Sequence, residues 1–234
     1  AATCFKGSSG LRLREDVHLR EGMICVHCGI HNRGRLLGLS ISAYVQQEDA
    51  KKILLMEGTT PLFRLLGQRF PNLIGSEFVA PQLKSGQEDD VNGQRIRHES
   101  ILDLSFSTGS LDLIAHADVL EHIPDVERAL AESFRVLRPG GQLIFSAPFS
   151  HGLNKSQRRA VLSAAGEVEH LLPAEYHGTH LVYYNYGWDL LHLCRAAGFT
   201  QVRIGVCFDP LQGLLSTGRF SESYMQPIVF SCVR

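Results

Sequence analysis

Between Lys51 and Phe149 short β-type runs alternate with helical ones, and that alternation leaves few folds open. Ile53-Leu54-Leu55-Met56 is an apolar run ending at Glu57-Gly58. Thr60 then offers a helix N-cap and Pro61 suits the first helical position. Leu62, Leu65, Leu66 and Phe70 follow at helical spacing, up to Pro71. Asn72 to Phe78 reads as a second strand, Gln82 to Gly93 as polar loop, and Gln94 to Glu99 as a third strand. Leu111 to Ala117 reads as a buried-type strand. Asp125 caps an amphipathic helix from Val126 to Leu137, Pro139-Gly140-Gly141 stops it, and Gln142 to Ala147 is the next strand. Strands that alternate with helices imply a doubly wound, mostly parallel α/β sheet covered on both faces. Such sheets bind ligands at the carboxyl ends of their strands.

The rest of the chain frames that core. Residues 1–48 read as an Arg-rich N-terminal extension holding three of the six cysteines. Residues 49–234 read as one α/β domain, with a Gln-, Arg-, Glu- and His-rich insertion at about 150–187, then a helix and two strands. A hydrophobic content of 44% against 20% charged residues excludes wholesale disorder. With 23 basic and 24 acidic residues the net charge is −1, so no nucleic-acid partner is expected. No apolar run approaches the ~18–20 residues of a membrane span. The cysteines form no dense framework, so a reducing, cytoplasmic setting is expected; Ala1-Ala2-Thr3-Cys4, with neither an initiator Met nor a basic-then-apolar pattern, reads as a processed or trimmed start. Nothing in the sequence fixes an oligomeric state.

Glu77 ends the second strand, twenty residues after Glu57 at the end of the first. An acid there accepts hydrogen bonds from a ribose diol, or is a solvated strand-end carboxylate; spacing alone leaves both open. The first loop, Glu57-Gly58-Thr59-Thr60-Pro61, has one glycine and no G-x-G-x-x-G. A dinucleotide pyrophosphate needs backbone approach from several glycines, which disfavours NAD and FAD. A ligand with a ribose and no phosphates fits better.

Asp112-Leu113-Ile114-Ala115-His116-Ala117-Asp118-Val119-Leu120-Glu121-His122-Ile123-Pro124-Asp125, followed by Arg135-Val136-Leu137-Arg138-Pro139-Gly140-Gly141, closely resembles the class I S-adenosylmethionine-dependent methyltransferases. The likeness covers residues 51–150, and more weakly Tyr186 to Leu191 and Ala197-Gly198-Phe199. It implies a Rossmann-like methyltransferase fold for the α/β domain and S-adenosylmethionine as cofactor. Glu57 and Gly58 stand where that family contacts the methionine moiety, and the Thr59 and Thr60 hydroxyls beside them are candidates for its carboxylate. Glu77, with Ser76 before it, stands where the family's acid holds the ribose. Ser100-Ile101 stands at the adenine, with Ser100 in place of the usual Asp and its backbone N–H as the substitute donor. Ala117 and Asp118 line the methionine side. The missing Gly-x-Gly marks an altered first motif. Two functions follow. One is methyl transfer to a small-molecule or saccharide-type acceptor; the other is a non-catalytic binding module of the same fold that has lost cofactor affinity.

Two further groups carry chemistry. Cys25-Val26-His27-Cys28-Gly29 is a knuckle-type turn in which Cys4, with His27 or His31, would complete a structural zinc site; a reduced pair and a disulfide are the alternatives. The nearby Arg12, Arg14, Arg20, Arg33 and Arg35 read as a solvated face, or else as contacts to an anionic substrate. On the acceptor side, His122 and His177 are the candidate general bases, because imidazole takes up a proton near neutral pH. Asp118, Glu121 and His122 fall at i, i+3 and i+4, so one helical turn would bring all three to the crevice. That spacing resembles the metal-binding form of the motif in quinone-precursor O-methyltransferases, which implies a divalent cation. Tying the loop to backbone is the purely structural alternative.

Overall fold

The computed structural model describes residues 11–12, 19–45, 51–215 and 227–234. Its centre is a six-stranded sheet of β1 (Ile53–Leu55), β2 (Leu73–Gly75), β3 (Leu111–Ala117), β4 (Leu137–Ser146), β5 (Gln201–Val206) and β6 (Ile228–Val233). The spatial order is β5-β6-β4-β3-β1-β2. Strands β1 to β4 run parallel, and β6 is inserted antiparallel between β4 and β5. This is the doubly wound α/β sheet expected from the strand–helix alternation.

Side chains alternate between two clusters with the period of two that a strand dictates. Ile53, Leu55, Leu113 and Ala115 face one, while Leu54, Ile114, Leu143 and Phe145 face the other. Helices α1 (Asn32–Val45) and α2 (Pro61–Gly67) close the first face through Leu37, Ile41, Val45, Leu62 and Leu66. Helices α3 (Val126–Val136) and α4 (Leu190–Ala196) close the second through Ala129, Leu130, Val136, Leu190 and Cys194. Helix α1, from the segment expected to be an extension, is thus part of the sheet's cover.

Local signals act where they were expected. The Thr60 hydroxyl accepts from Phe63 N at 3.3 Å, and the Asp125 carboxylate accepts from Arg128 N at 3.0 Å, capping α2 and α3. The first loop passes so close to β2 that a Cβ on Gly58 would lie 3.0 Å from Ser76 N. That is where this loop requires glycine.

Three boundaries differ from the sequence-based expectation. The loop before the third strand is half of an antiparallel hairpin, Glu88–Val91 with Gln94–Arg97, turning at Asn92 (φ 54°) and Gly93 (φ 81°). Only His98 reaches the main sheet, as a single parallel bridge to Glu77. Strand β4 starts at Leu137, but residues 138–141 bulge out of its ladder with β3, Gly140 taking the left-handed φ of 78° while its N–H donates to Arg234 O. The insertion forms three short antiparallel pairs: Gln157–Arg158 with Tyr184–Asn185, Ala160–Leu162 with Val168–His170, and Tyr176–His177 with His180–Leu181. Among the described residues no helix is long and apolar enough to cross a membrane.

Candidate active site

The carboxyl ends of β1, β2 and β3 bring the predicted acids together. Thr59 donates to Glu77 Oε1 twice, from its backbone N at 3.0 Å and from its hydroxyl at 2.7 Å. The Thr60 hydroxyl donates to Glu57 O at 2.9 Å while capping α2. Ser76 is buried, and its hydroxyl has no hydrogen-bond partner among the described residues. Burial pushes the Glu57 carboxyl up to about 7; Arg33 opposes this, and the Asp118 and Glu77 charges add to it.

Asp118 lies just past β3 with φ 51°, a left-handed conformation that Asp tolerates better than most residues. Its carboxylate is gripped by both ends of the Arg20 guanidinium, at 2.6 and 2.7 Å. Arg33 Nε lies 3.2 Å away and the Ser146 hydroxyl donates at 3.1 Å. Burial alone would raise this carboxyl, but Arg33 and Arg20 more than offset it and hold it well below the usual carboxylate range. Glu21 joins the cluster, accepting from Arg20 at 2.8 Å and from Arg33 Nε at 2.7 Å. The expectation of a solvated Arg face is therefore overturned for Arg20, Arg33 and Arg35. Arg20 is 5% exposed, and Arg35, 1% exposed, donates to the carbonyls of Met23, Ile30, Gln212 and Gly213. These arginines pair with groups inside the protein, Arg20 with Asp118 98 residues away in sequence, which no local pattern reveals. The side chains of Arg12 and Arg14 lie outside the described residues.

The Ser100 N–H donates to the Ser85 hydroxyl at 2.9 Å, so it is committed within the protein. Ile101 is buried in the core under α3, and Ala117 is buried at the end of β3. Ser100, Phe78 and His98 share an open cavity of about 630 Å³ with Lys84, Asp103 and Ser105. Glu99 is structural: it is fully buried and accepts from Arg97 Nε at 2.7 Å and Ser105 N at 3.0 Å.

On the other side of the loop after β3, Leu120–His122 form one 3₁₀ turn. Asp118 points to the arginines, so Asp118, Glu121 and His122 do not converge. Instead Glu121 and His122 meet His177 from the insertion, with one ligand-type atom from each within 4.8 Å of the others. Glu121 is fully buried, and neither of its oxygens has a hydrogen-bond partner among the described residues. His177 Nδ1 lies 3.6 Å and His122 Nε2 3.7 Å from Glu121 Oε1. Burial, with Asp118 second, raises the Glu121 carboxyl, and the two imidazoles oppose that shift. His122 Nδ1 is 2.7 Å from Leu181 O; a carbonyl only accepts, so that nitrogen carries the proton and Nε2 faces Glu121. The same return limb donates Tyr183 N to Glu121 O at 2.7 Å. Contact with Glu121 raises the His177 imidazole, and Glu175, 3.5 Å from Nε2, adds to it. His177 opens into a cavity of about 240 Å³ lined also by Pro148, Ser150, Glu175 and Asn185.

Cys25 and Cys28 sit in the expected turn, closed by Gly29 N donating to Cys25 O at 2.8 Å, with Gly29 at φ 72°. Neither takes part in a disulfide among the described residues. Among the described residues they gather no third ligand at metal distance, and Cys4 lies outside those residues. His31 Nδ1 accepts from Gly34 N at 3.0 Å and Nε2 lies 3.7 Å from Glu21, so this imidazole serves the α1 entry.

A family model described as a methyltransferase domain matches residues 57–145. A ubiquinone biosynthesis O-methyltransferase of Aromatoleum aromaticum is 29% identical over 116 residues, 49% of this chain and 47% of that protein. A demethylmenaquinone methyltransferase of Thermus thermophilus is 34% identical over 100 residues, 40% of this chain and 46% of that one. The chain thus spans about half the length of these curated relatives. A solved S-adenosylmethionine-dependent methyltransferase of Mesorhizobium loti superposes with a TM-score of 0.53 at 15% identity, over 84% of this chain and 96% of that one, and so shares the fold. Matched motifs, sheet order and fold converge: residues 57–145 match a methyltransferase domain, and the chain has the fold of the S-adenosylmethionine-dependent methyltransferases.

Proposed function

We propose that this protein transfers the methyl group of S-adenosylmethionine to a hydroxyl of a small quinone-type acceptor. The residues present fit the cofactor. Gly58 allows the close loop that a Cβ would block, Glu77 is held at the end of β2, and a buried cation stands beside Glu57. On this reading Glu57, Gly58 and Thr59 meet the methionine end with Ala117 and Asp118. Glu77 beside Ser76 takes the ribose, and Ser100 with Ile101 flanks the adenine. The bound cofactor supplies an electrophilic methyl on a sulfonium. The chain supplies orientation, exclusion of water and a base for the acceptor proton.

The observation that carries the proposal is the buried Glu121 carboxyl flanked by His122 and His177, with His177 opening into a cavity. His177 is the group in that cluster placed to take a proton from a ligand in the cavity. Glu121 fixes its orientation and stabilises the imidazolium that results. The acceptor class is supported by the relatives whose names state one, which point to quinones rather than saccharides. A second reading rests on the same convergence: Glu121, His122 and His177 hold a divalent cation that polarises the acceptor hydroxyl.

Methyl transfer from labelled cofactor to catechol-type acceptors tests both. His177→Ala should lower turnover ~10²-fold or more with unchanged cofactor affinity and melting temperature, and His122→Ala should do so more weakly. Turnover abolished by a chelator and restored by one divalent cation favours the cation. Cofactor that does not bind at all leaves the non-catalytic binding module as the function.

A further inference from the structure

S-Adenosylmethionine ends in an α-carboxylate and an α-ammonium, and a buried site must answer both charges. The donors nearest the altered first motif are already committed. Both Thr59 donors go to Glu77, and the Thr60 hydroxyl and N–H go to Glu57 O. The Phe63 N–H of the first turn of α2 is taken by the Thr60 cap. The threonines proposed from the sequence are therefore not available to the carboxylate. Two buried donors next to them are. Arg33 Nη1 has no hydrogen-bond partner among the described residues and lies 3.8 Å from Glu57 Oε1. Arg20 Nε is also buried without a partner. An unanswered guanidinium N–H in a buried site costs free energy unless something arrives to accept from it.

The charges point the same way. Arg20 and Arg33 face the carboxylates of Asp118 and Glu21, two against two. Glu57 is the third acid. The groups that face it are Arg33 from α1, Asp118 from the loop after β3, Glu77 from β2 and Glu21 from the segment before α1. A ligand that brings one carboxylate and one ammonium lets Arg33 gain an acceptor and Glu57 a counter-ion, and the cofactor's sulfonium offsets the one negative charge that an ionised Glu57 adds to the two guanidiniums and two carboxylates.

We propose that Arg33, backed by Arg20, receives the α-carboxylate of the cofactor while Glu57 receives its α-ammonium, making the segment before β1 half of the cofactor site. This rests on the reading that the chain binds S-adenosylmethionine. It explains how a first loop with a single glycine holds an amino-acid end: a guanidinium fork replaces backbone N–H groups. Because Glu57 sits near neutrality when free, an arriving ammonium ionises it, and the displaced proton goes to the buffer.

The test is calorimetric titration of the full chain with S-adenosylmethionine and with its decarboxylated analogue, which keeps the amine, sulfonium, ribose and adenine. The wild type should prefer the intact cofactor by at least about tenfold. Arg33→Gln should lose that factor for the intact cofactor and bind the analogue within about twofold of wild type. Arg33→Lys, which keeps the charge but not the fork, should fall between them and serves if Arg33→Gln does not fold. At pH 6 binding should release a proton, measured as a dependence of the heat on buffer ionisation enthalpy, and Glu57→Gln should abolish that release. Both ligands binding equally to the wild type, or both weakened equally by Arg33→Gln, overturns the carboxylate assignment and leaves the methyltransferase reading standing. Neither ligand binding the wild type overturns both.

Discussion

Replacing Glu57 by Gln should stabilise the folded chain at neutral and alkaline pH while weakening cofactor binding. The Glu57 side chain is 14% exposed, and burial raises its carboxyl from an ordinary 4.5 to about 7 even with Arg33 at 3.8 Å. In the unfolded chain it ionises at its ordinary value. Between pH 4.5 and 7 the unfolded state therefore gives up a proton that the folded state keeps, and folding loses stability as pH rises. The gap of about 2.5 pH units, at about 1.4 kcal/mol each, amounts to about 3.5 kcal/mol once the pH is above 7. Gln keeps the shape and cannot ionise, so the variant escapes that loss. Urea unfolding of both proteins at pH 5, 6, 7 and 8 reads the difference. Near pH 5 the midpoints should almost coincide. At pH 8 the variant's should be higher by more than about 1 M, taking a slope of about 2–3 kcal/mol/M. A shift of equal size at every pH would mean that Gln acts through packing. A destabilised variant at pH 8 would mean that the ion pair with Arg33 outweighs the desolvation of Glu57, and the reasoning fails.

Asp118→Asn should cost about 3–5 kcal/mol at pH 7, because it leaves two buried guanidiniums with one carboxylate fewer, while Asn accepts the left-handed backbone. The Asp118 carboxyl is depressed, so its contribution is full above about pH 4 and fades as pH falls below that; unfolding followed from pH 6 to 3 should show a steep acid limb for wild type and a flatter one for the variant. Glu77→Ala should raise the cofactor Kd at least about tenfold with the fold intact, since it removes charge-assisted acceptors worth about 1.5–3 kcal/mol each; an unchanged Kd takes Glu77 out of the site.

What could be seen in the sequence was what is local. Thr60-Pro61 and Asp125 start helices through contacts three residues long, and the apolar run Leu111 to Ala117 needs no partner to be recognised as a buried strand. The Glu88 to Arg97 hairpin is legible only at its turn: Asn92-Gly93 is a strong two-residue turn signal, but Glu88 to Val91 is polar and lacks the apolar face that marks a strand. The arginine cluster was not legible. Arg20 and Asp118 are 98 residues apart, and only the packing of α1 across the sheet brings them together. Spacing places His122 beside Glu121, but nothing in the sequence brings His177 to the same carboxylate. Their common partner, Glu121, follows from how the insertion's return limb hydrogen-bonds to the loop after β3.

The antiparallel place of β6 between β4 and β5 shapes how the chain emerges from a ribosome. Vectorial synthesis completes β4 at Ser146 and β5 at Val206, yet the strand that joins them begins only at Ile228. The edge Leu143-Ile144-Phe145, apolar and unpaired, waits for about 80 further residues, some 4–16 s at about 5–20 residues per second. Through that interval β5 has no ladder neighbour, because in the finished sheet β6 is the strand it pairs with. A nascent chain in this state offers two open edges to any passing strand, so its yield in a cell is set by what shields them until the last strand slots in.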